Sequence, residues 1–72
     1  MNIFNAHDFG CAIRSARKAR LLTQQQLADL SGTGITFVSN LERGKPTSEL
    51  EKAIQVALTA GLNISLQDRM DA

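Results

Sequence analysis

Cations are the side chains with the widest chemical reach in this chain, and they are unevenly placed. Residues 14–45 hold Arg14, Arg17, Lys18, Arg20, Arg43 and Lys45 against Asp29 and Glu42, a net of +4. Residues 46–72 hold Lys52 and Arg69 against Glu49, Glu51, Asp68 and Asp71, a net of −2, and Asp8 brings the whole chain to +1. A positive front and a negative tail suit a protein that turns one face toward a polyanion, although a solvated surface accounts for the charge alone equally well. Covalent and acid–base chemistry has much less to work with. His7 and Cys11 stand four apart and could share a helix face, but two ligands do not make a zinc site. One His, one Cys and scattered carboxylates supply no nucleophile, base and orienting group together. No enzyme is expected, and no catalytic residue, metal or cofactor.

The elements that would position those cations are legible from periodicity and turn chemistry. The chain has 72 residues and 43% apolar content, with three Phe, no Trp and no Tyr, so its core must come from Leu, Ile, Val and Ala. That suits packed helices in one small domain, 1–72. One cysteine allows no disulfide within the chain. No secretory signal pattern and no apolar run of membrane-spanning length is visible, so a cytoplasmic location and no membrane partner are expected.

Phe9, Ala12, Ile13, Ala16 and Ala19 recur at helical steps, with Asp8 as the expected N-cap, Gly10 as a weak point and an end near Arg20. Thr23 and Gln26 form a capping box that opens a second helix with Leu27 and Leu30 inward. Ser31-Gly32 stops it, because Gly adopts the left-handed conformation a helix end needs. A third helix is expected over about 35–42, with Val38 and Leu41 inward and Phe37 partly packed, ended by Gly44. After Pro46, Ser48 and Glu51 read as a second capping box. Leu50, Ile54, Ala57 and Leu58 then make the inward stripe of a fourth helix, stopped by Gly61. Leu62, Ile64 and Leu66 alternate with Asn63, Ser65 and Gln67, the period of a strand over 62–67. A lone strand in a helical domain cannot pair its own backbone. It is expected to join the same strand of a second copy, making Leu62, Ile64 and Leu66 a homodimer interface. Folding back onto residues 2–5 is the alternative.

Two short helices joined by a tight Gly-containing turn, 23–43, match a helix-turn-helix. The second of them must keep its packed side fixed and offer small or polar side chains outward to enter a DNA major groove. Here the string Thr23-Gln24-x-x-Leu27-Ala28, then Gly32, then Leu41-Glu42-Arg43-Gly44-Lys45, resembles the phage-repressor (Cro/C1, or XRE) helix-turn-helix family over about residues 9–66. The layout, with Ile13-Arg14 before it, Leu41 to Thr47 within it and Leu62 to Leu66 after it, is most similar to HipB-like antitoxins.

The resemblance implies an all-α, four- to five-helix domain with a short terminal strand pairing across a dimer. It implies a homodimeric, sequence-specific repressor of double-stranded DNA carrying an inverted-repeat operator, and further an antitoxin and autorepressor with a HipA-type kinase toxin as partner. Ile35, Thr36 and Asn40 inherit the base-contacting positions, and Asn40 carries the amide that pairs bidentately with adenine. Gln24, Ser39, Arg43 and Lys45 inherit phosphate contacts. Arg17 and Glu42 inherit a structural ion pair between the first and third helices. Two positions depart from the family pattern: Gly34 stands where Ser, Thr or Asn is usual, and Ile35 where a polar residue is usual. A stand-alone phage-type regulator without a toxin is one alternative. A protein-interaction module that has lost DNA binding is the other.

Overall fold

The computed structural model describes residues 2–69. Four helices follow one another: α1 (Ala6–Ala19), α2 (Gln24–Ser31), α3 (Ile35–Glu42) and α4 (Leu50–Thr59). The fold is all-α. Helix α3 packs against α1 and α2, and α2 also packs against α4. Between them lies a core of Ile13, Leu27, Ala28, Val38, Leu41, Ala53, Val56, Ala57 and Ala60, with Phe9, Ala16, Phe37 and Leu62 against its rim.

Helix α1 starts earlier than periodicity suggests. Its N-cap is Asn5, not Asp8: the Asn5 side chain accepts from the Asp8 N–H at 2.8 Å. The Asp8 carboxylate instead reaches back to accept from the Phe4 N–H at 3.1 Å. Ala6 and His7 precede the apolar stripe, so the pattern could not register them. Gly10 is a contact point and not a weak one. A Cβ there would lie 2.0 Å from the Leu41 carbonyl oxygen, so only Gly lets α1 cross the end of α3 this closely.

Helix α2 is capped from both directions. Thr23 Oγ1 accepts from the Gln26 N–H at 3.0 Å, and Gln26 Oε1 accepts from the Thr23 N–H at 2.8 Å. Gly32 closes the helix at φ 70° in the left-handed region. The buried Ser31 hydroxyl donates to the Leu27 carbonyl at 2.8 Å, so the helix end carries no orphan hydroxyl.

Helix α4 departs from expectation twice. Ser48 and Glu51 form no capping box; the N-cap is Glu49, with no side-chain bond to the helix, and Thr47 Oγ1 accepts from the Glu49 N–H at 3.1 Å. Of the four residues expected inward, Ala57 is buried and Ile54 half-buried, but the stripe runs through Ala53, Val56, Ala57 and the C-cap Ala60, while Leu50 is 68% and Leu58 50% exposed. Two apolar stripes overlap on this helix, and the one built of small residues lets it lie close against α2. The larger leucines are left on its shoulder.

Residues 62–67 form no strand in the single chain, and no strand is present among the described residues, so the fold-back onto residues 2–5 is not made. Leu62 caps the core and its N–H donates to the Ala57 carbonyl at 3.0 Å. Residues 63–68 beyond it are exposed. No helix among the described residues is long and apolar enough to cross a membrane.

Candidate nucleic-acid interface

Helix α3 is held by three buried residues, Val38, Leu41 and Glu42, on the side facing α1 and α2. Its other side carries exposed Ile35 and Thr36, and half-buried Ser39 and Asn40. Gly34 is the N-cap and offers no side-chain bond. Ile35, Thr36, Ser39 and Arg43 line a shallow depression together with Gln24, the first residue of α2. Five of the seven residues given base or phosphate roles by resemblance therefore meet on one surface.

Under that surface lies a polar anchor joining three segments. Arg17 Nε donates to Glu42 Oε2 at 2.7 Å and Arg17 Nη2 to Glu42 Oε1 at 2.9 Å, a two-pronged pair between α1 and α3. Arg17 Nη1 donates to the Leu22 carbonyl at 2.8 Å, tying down the loop that leads into α2. Gln24 Nε2 donates to Glu42 Oε1 at 3.2 Å, so the carboxylate also orients the side chain at the head of α2. The two charged side chains are only 11% and 3% exposed. The hydrogen bonds it donates to Glu42 hold the Arg17 guanidinium above its ordinary pKa, outweighing the opposing effect of burial, with the negative charge adding to it. No buried side-chain nitrogen or oxygen among the described residues lacks a partner.

Asn40 and Lys45 stand differently. Asn40 Oδ1 accepts from Arg43 Nη2, a contact between residues three apart on the helix that spacing alone could have suggested. Lys45 lines a second depression with Ile3, Phe4, Phe9, Leu41 and Leu50, between the N-terminal arm and the start of α4. It is not gathered with Gln24 and Arg43. Cys11 Sγ lies 3.6 Å from His7 Nε2 on α1, and no third metal-binding group joins them among the described residues. Sequence reasoning missed the Gln24–Glu42 bond. Its only trace is that a Gln follows the Thr23 cap, and only the crossing of α2 over α3 brings the two side chains together.

Comparison with known proteins puts this arrangement in context. Residues 13–67 match the helix-turn-helix family. The chain is 41% identical over 59 residues to the uncharacterized HTH-type transcriptional regulator y4mF of Sinorhizobium fredii, covering 82% of this chain and 78% of that protein. It is 54% identical over 37 residues to the competence pilus inhibition repressor of Acinetobacter baylyi, covering 51% of this chain but only 34% of that repressor. Among solved structures, the restriction-modification controller protein C.AhdI of Aeromonas hydrophila is similar with a TM-score of 0.71 and 31% identity, over 81% of this chain and 84% of that one.

Proposed function

The chain belongs to the helix-turn-helix family of DNA-binding transcriptional regulators, and from that premise we propose that it is a cytoplasmic repressor that occludes a promoter as a homodimer on an inverted-repeat operator. The observation that carries this reading is the single surface formed by Gln24, Ile35, Thr36, Ser39 and Arg43 over the Arg17–Glu42 anchor. Residues 1–72 act as one DNA-binding unit. Ile35 meets a thymine methyl, and Thr36 and Asn40 meet polar base edges. Gln24 at the positive end of α2, Ser39, Arg43 and Lys45 bind phosphates, which set register and carry no sequence information themselves.

Two features support the homodimer. Leu50 and Leu58 leave an apolar shoulder on α4, and Ile64 and Leu66 are 44% and 95% exposed on the tail beyond it. The Leu62 N–H is taken by the Ala57 carbonyl, but residues 63–67 beyond it are exposed and would pair with their counterparts about a two-fold axis, with Leu62, Ile64 and Leu66 at the contact. Two α3 helices would then face major grooves about 34–36 Å apart. The HipA-type toxin partner rests on the layout of the sequence alone. The three relatives above bear the names of a regulator, a repressor and a controller, which favours the stand-alone regulator.

Selection of bound duplexes from a random library, followed by affinity measurement against salt, tests the proposal. The expected motif is an inverted repeat, and each phosphate neutralised contributes roughly −0.9 to the slope of log K against log salt. An affinity that stays flat with salt, or a selection that returns no repeat, refutes it.

A further inference from the structure

We propose that Asn40 reads guanine and not adenine, because Arg43 has already taken its amide oxygen. The inference rests on the reading that α3 enters the major groove. Arg43 Nη2 lies 2.5 Å from Asn40 Oδ1. A guanidinium only donates and stays protonated, so the amide atom facing it must be the oxygen, whichever way the amide would otherwise be assigned. Arg43 is also the C-cap of α3, where the negative end of the helix favours a cation, and its N–H donates to the Ser39 carbonyl at 3.1 Å. Asn40 is half-buried as a residue, while its contact with Arg43 is exposed, as a group that must reach a base has to be.

The usual pairing of Asn with adenine uses both ends of the amide: the oxygen accepts from N6 and the nitrogen donates to N7. The oxygen has a second lone pair, but with Arg43 on the first the N6–H of adenine would have to approach it beside a cation, whereas an acceptor would not. The Nδ2 group remains free, with two N–H donors. Guanine presents two adjacent acceptors, O6 and N7, in the major groove, and is the base that a donor-only amide fits. Arg43 keeps its remaining N–H groups for a phosphate. One residue thus binds backbone and decides which base its neighbour prefers.

The test is selection from a randomised duplex library with the full-length parent, Asn40→Ala and Arg43→Met, each shown by circular dichroism to keep the parental helix content and Tm. The base pair whose preference disappears in Asn40→Ala is expected to be G·C in the parent, favoured over A·T by roughly five- to a hundredfold. In Arg43→Met, which keeps an apolar stem but no donor, that position is expected to turn to A·T. Three outcomes overturn the proposal: an A·T pair at that position in the parent, a guanine that survives Asn40→Ala and is lost only in Arg43→Met, or an unaltered motif in Asn40→Ala. The second would mean that Arg43 reads the base itself. A parent that enriches no sequence fails earlier, at the operator reading, and removes this inference with it.

Discussion

The α2–α3 pair and the α4-to-tail segment are both short, helical in whole or part, and rich in Leu, Ile, Val and Ala, yet they behave differently. In α2 and α3 most local signals agree; the exception is Leu30, expected inward on α2 but 65% exposed. The Thr23 cap closes with Gln26, Gly32 stops the helix, and the large side chains Leu27, Val38 and Leu41 go inside. In α4 the apparent cap is not made, and the interior is taken by Ala53, Val56, Ala57 and Ala60 while Leu50 and Leu58 stay out. Where the inward stripe has one possible reading, the helix orients itself. Where two stripes compete, packing against a neighbour chooses between them, and the displaced leucines are left exposed.

The comparison breaks most severely at the anchor of the first region. Glu42→Ala strands the Arg17 guanidinium in a site where the pair is only 11% and 3% exposed. Losing one partner of a well-buried pair costs about 3–5 kcal/mol, which for a chain this small lowers Tm by roughly 15 °C or more. Thermal melts of parent and variant check it, and an unchanged Tm would mean the pair is solvated. Because the Arg17 pKa is raised, this guanidinium's contribution is complete below its ordinary value and is lost only as pH climbs through the raised one. Titrating from mildly acidic to mildly alkaline pH should therefore leave Arg17's share of stability unchanged.

The next largest effect contrasts two neighbours on α4. Val56 is fully buried and Leu58 half exposed. Val56→Ala should cost about 2 kcal/mol of chain stability from lost transfer and residual cavity. Leu58→Lys should change the stability of the monomer by less than about 0.5 kcal/mol. The same Leu58→Lys should shift sedimentation toward monomer at micromolar concentration. If Leu58→Lys unfolds the chain as Val56→Ala destabilises it, the assignment of inward and outward stripes is reversed.

Ile64→Pro separates the tail from the shoulder. It removes a backbone donor and an apolar contact together from a segment that is exposed in the single chain. Sedimentation should show weaker self-association with an unaltered Tm for the dissociated chain. A variant that remains fully dimeric would confine the interface to α4.

The smallest effect compares the two sequence-level caps directly. Thr23→Ala should cost about 1 kcal/mol, since its hydroxyl satisfies the Gln26 N–H. Ser48→Ala should stay within about 0.5 kcal/mol, because Ser48 does not cap α4. Equal losses in denaturant titrations would contradict the difference between the two helix starts.

What the sequence determined on its own was whatever short-range chemistry settles. Helix α3 over Ile35–Glu42, the Thr23–Gln26 box, the stop at Gly32 and the membership of Leu27, Val38 and Leu41 in the core all depend on groups within a few positions of one another. The outward face of α3 follows as the complement of its packed side. The family likeness of Thr23 to Lys45 was legible for the same reason, since a tight turn between two short helices leaves few residue choices. What only the tertiary structure decided depended on distance across the fold. Gly10 looks like a helix defect until Leu41 is seen against it. Gln24 looks like a free amide until α2 crosses α3 and brings it to Glu42. The choice between alanines and leucines inside α4 follows from its packing against α2, which no periodicity within α4 encodes. The alternation of 62–67 states a preference for pairing, but a strand needs a partner's backbone, and a single chain does not contain one.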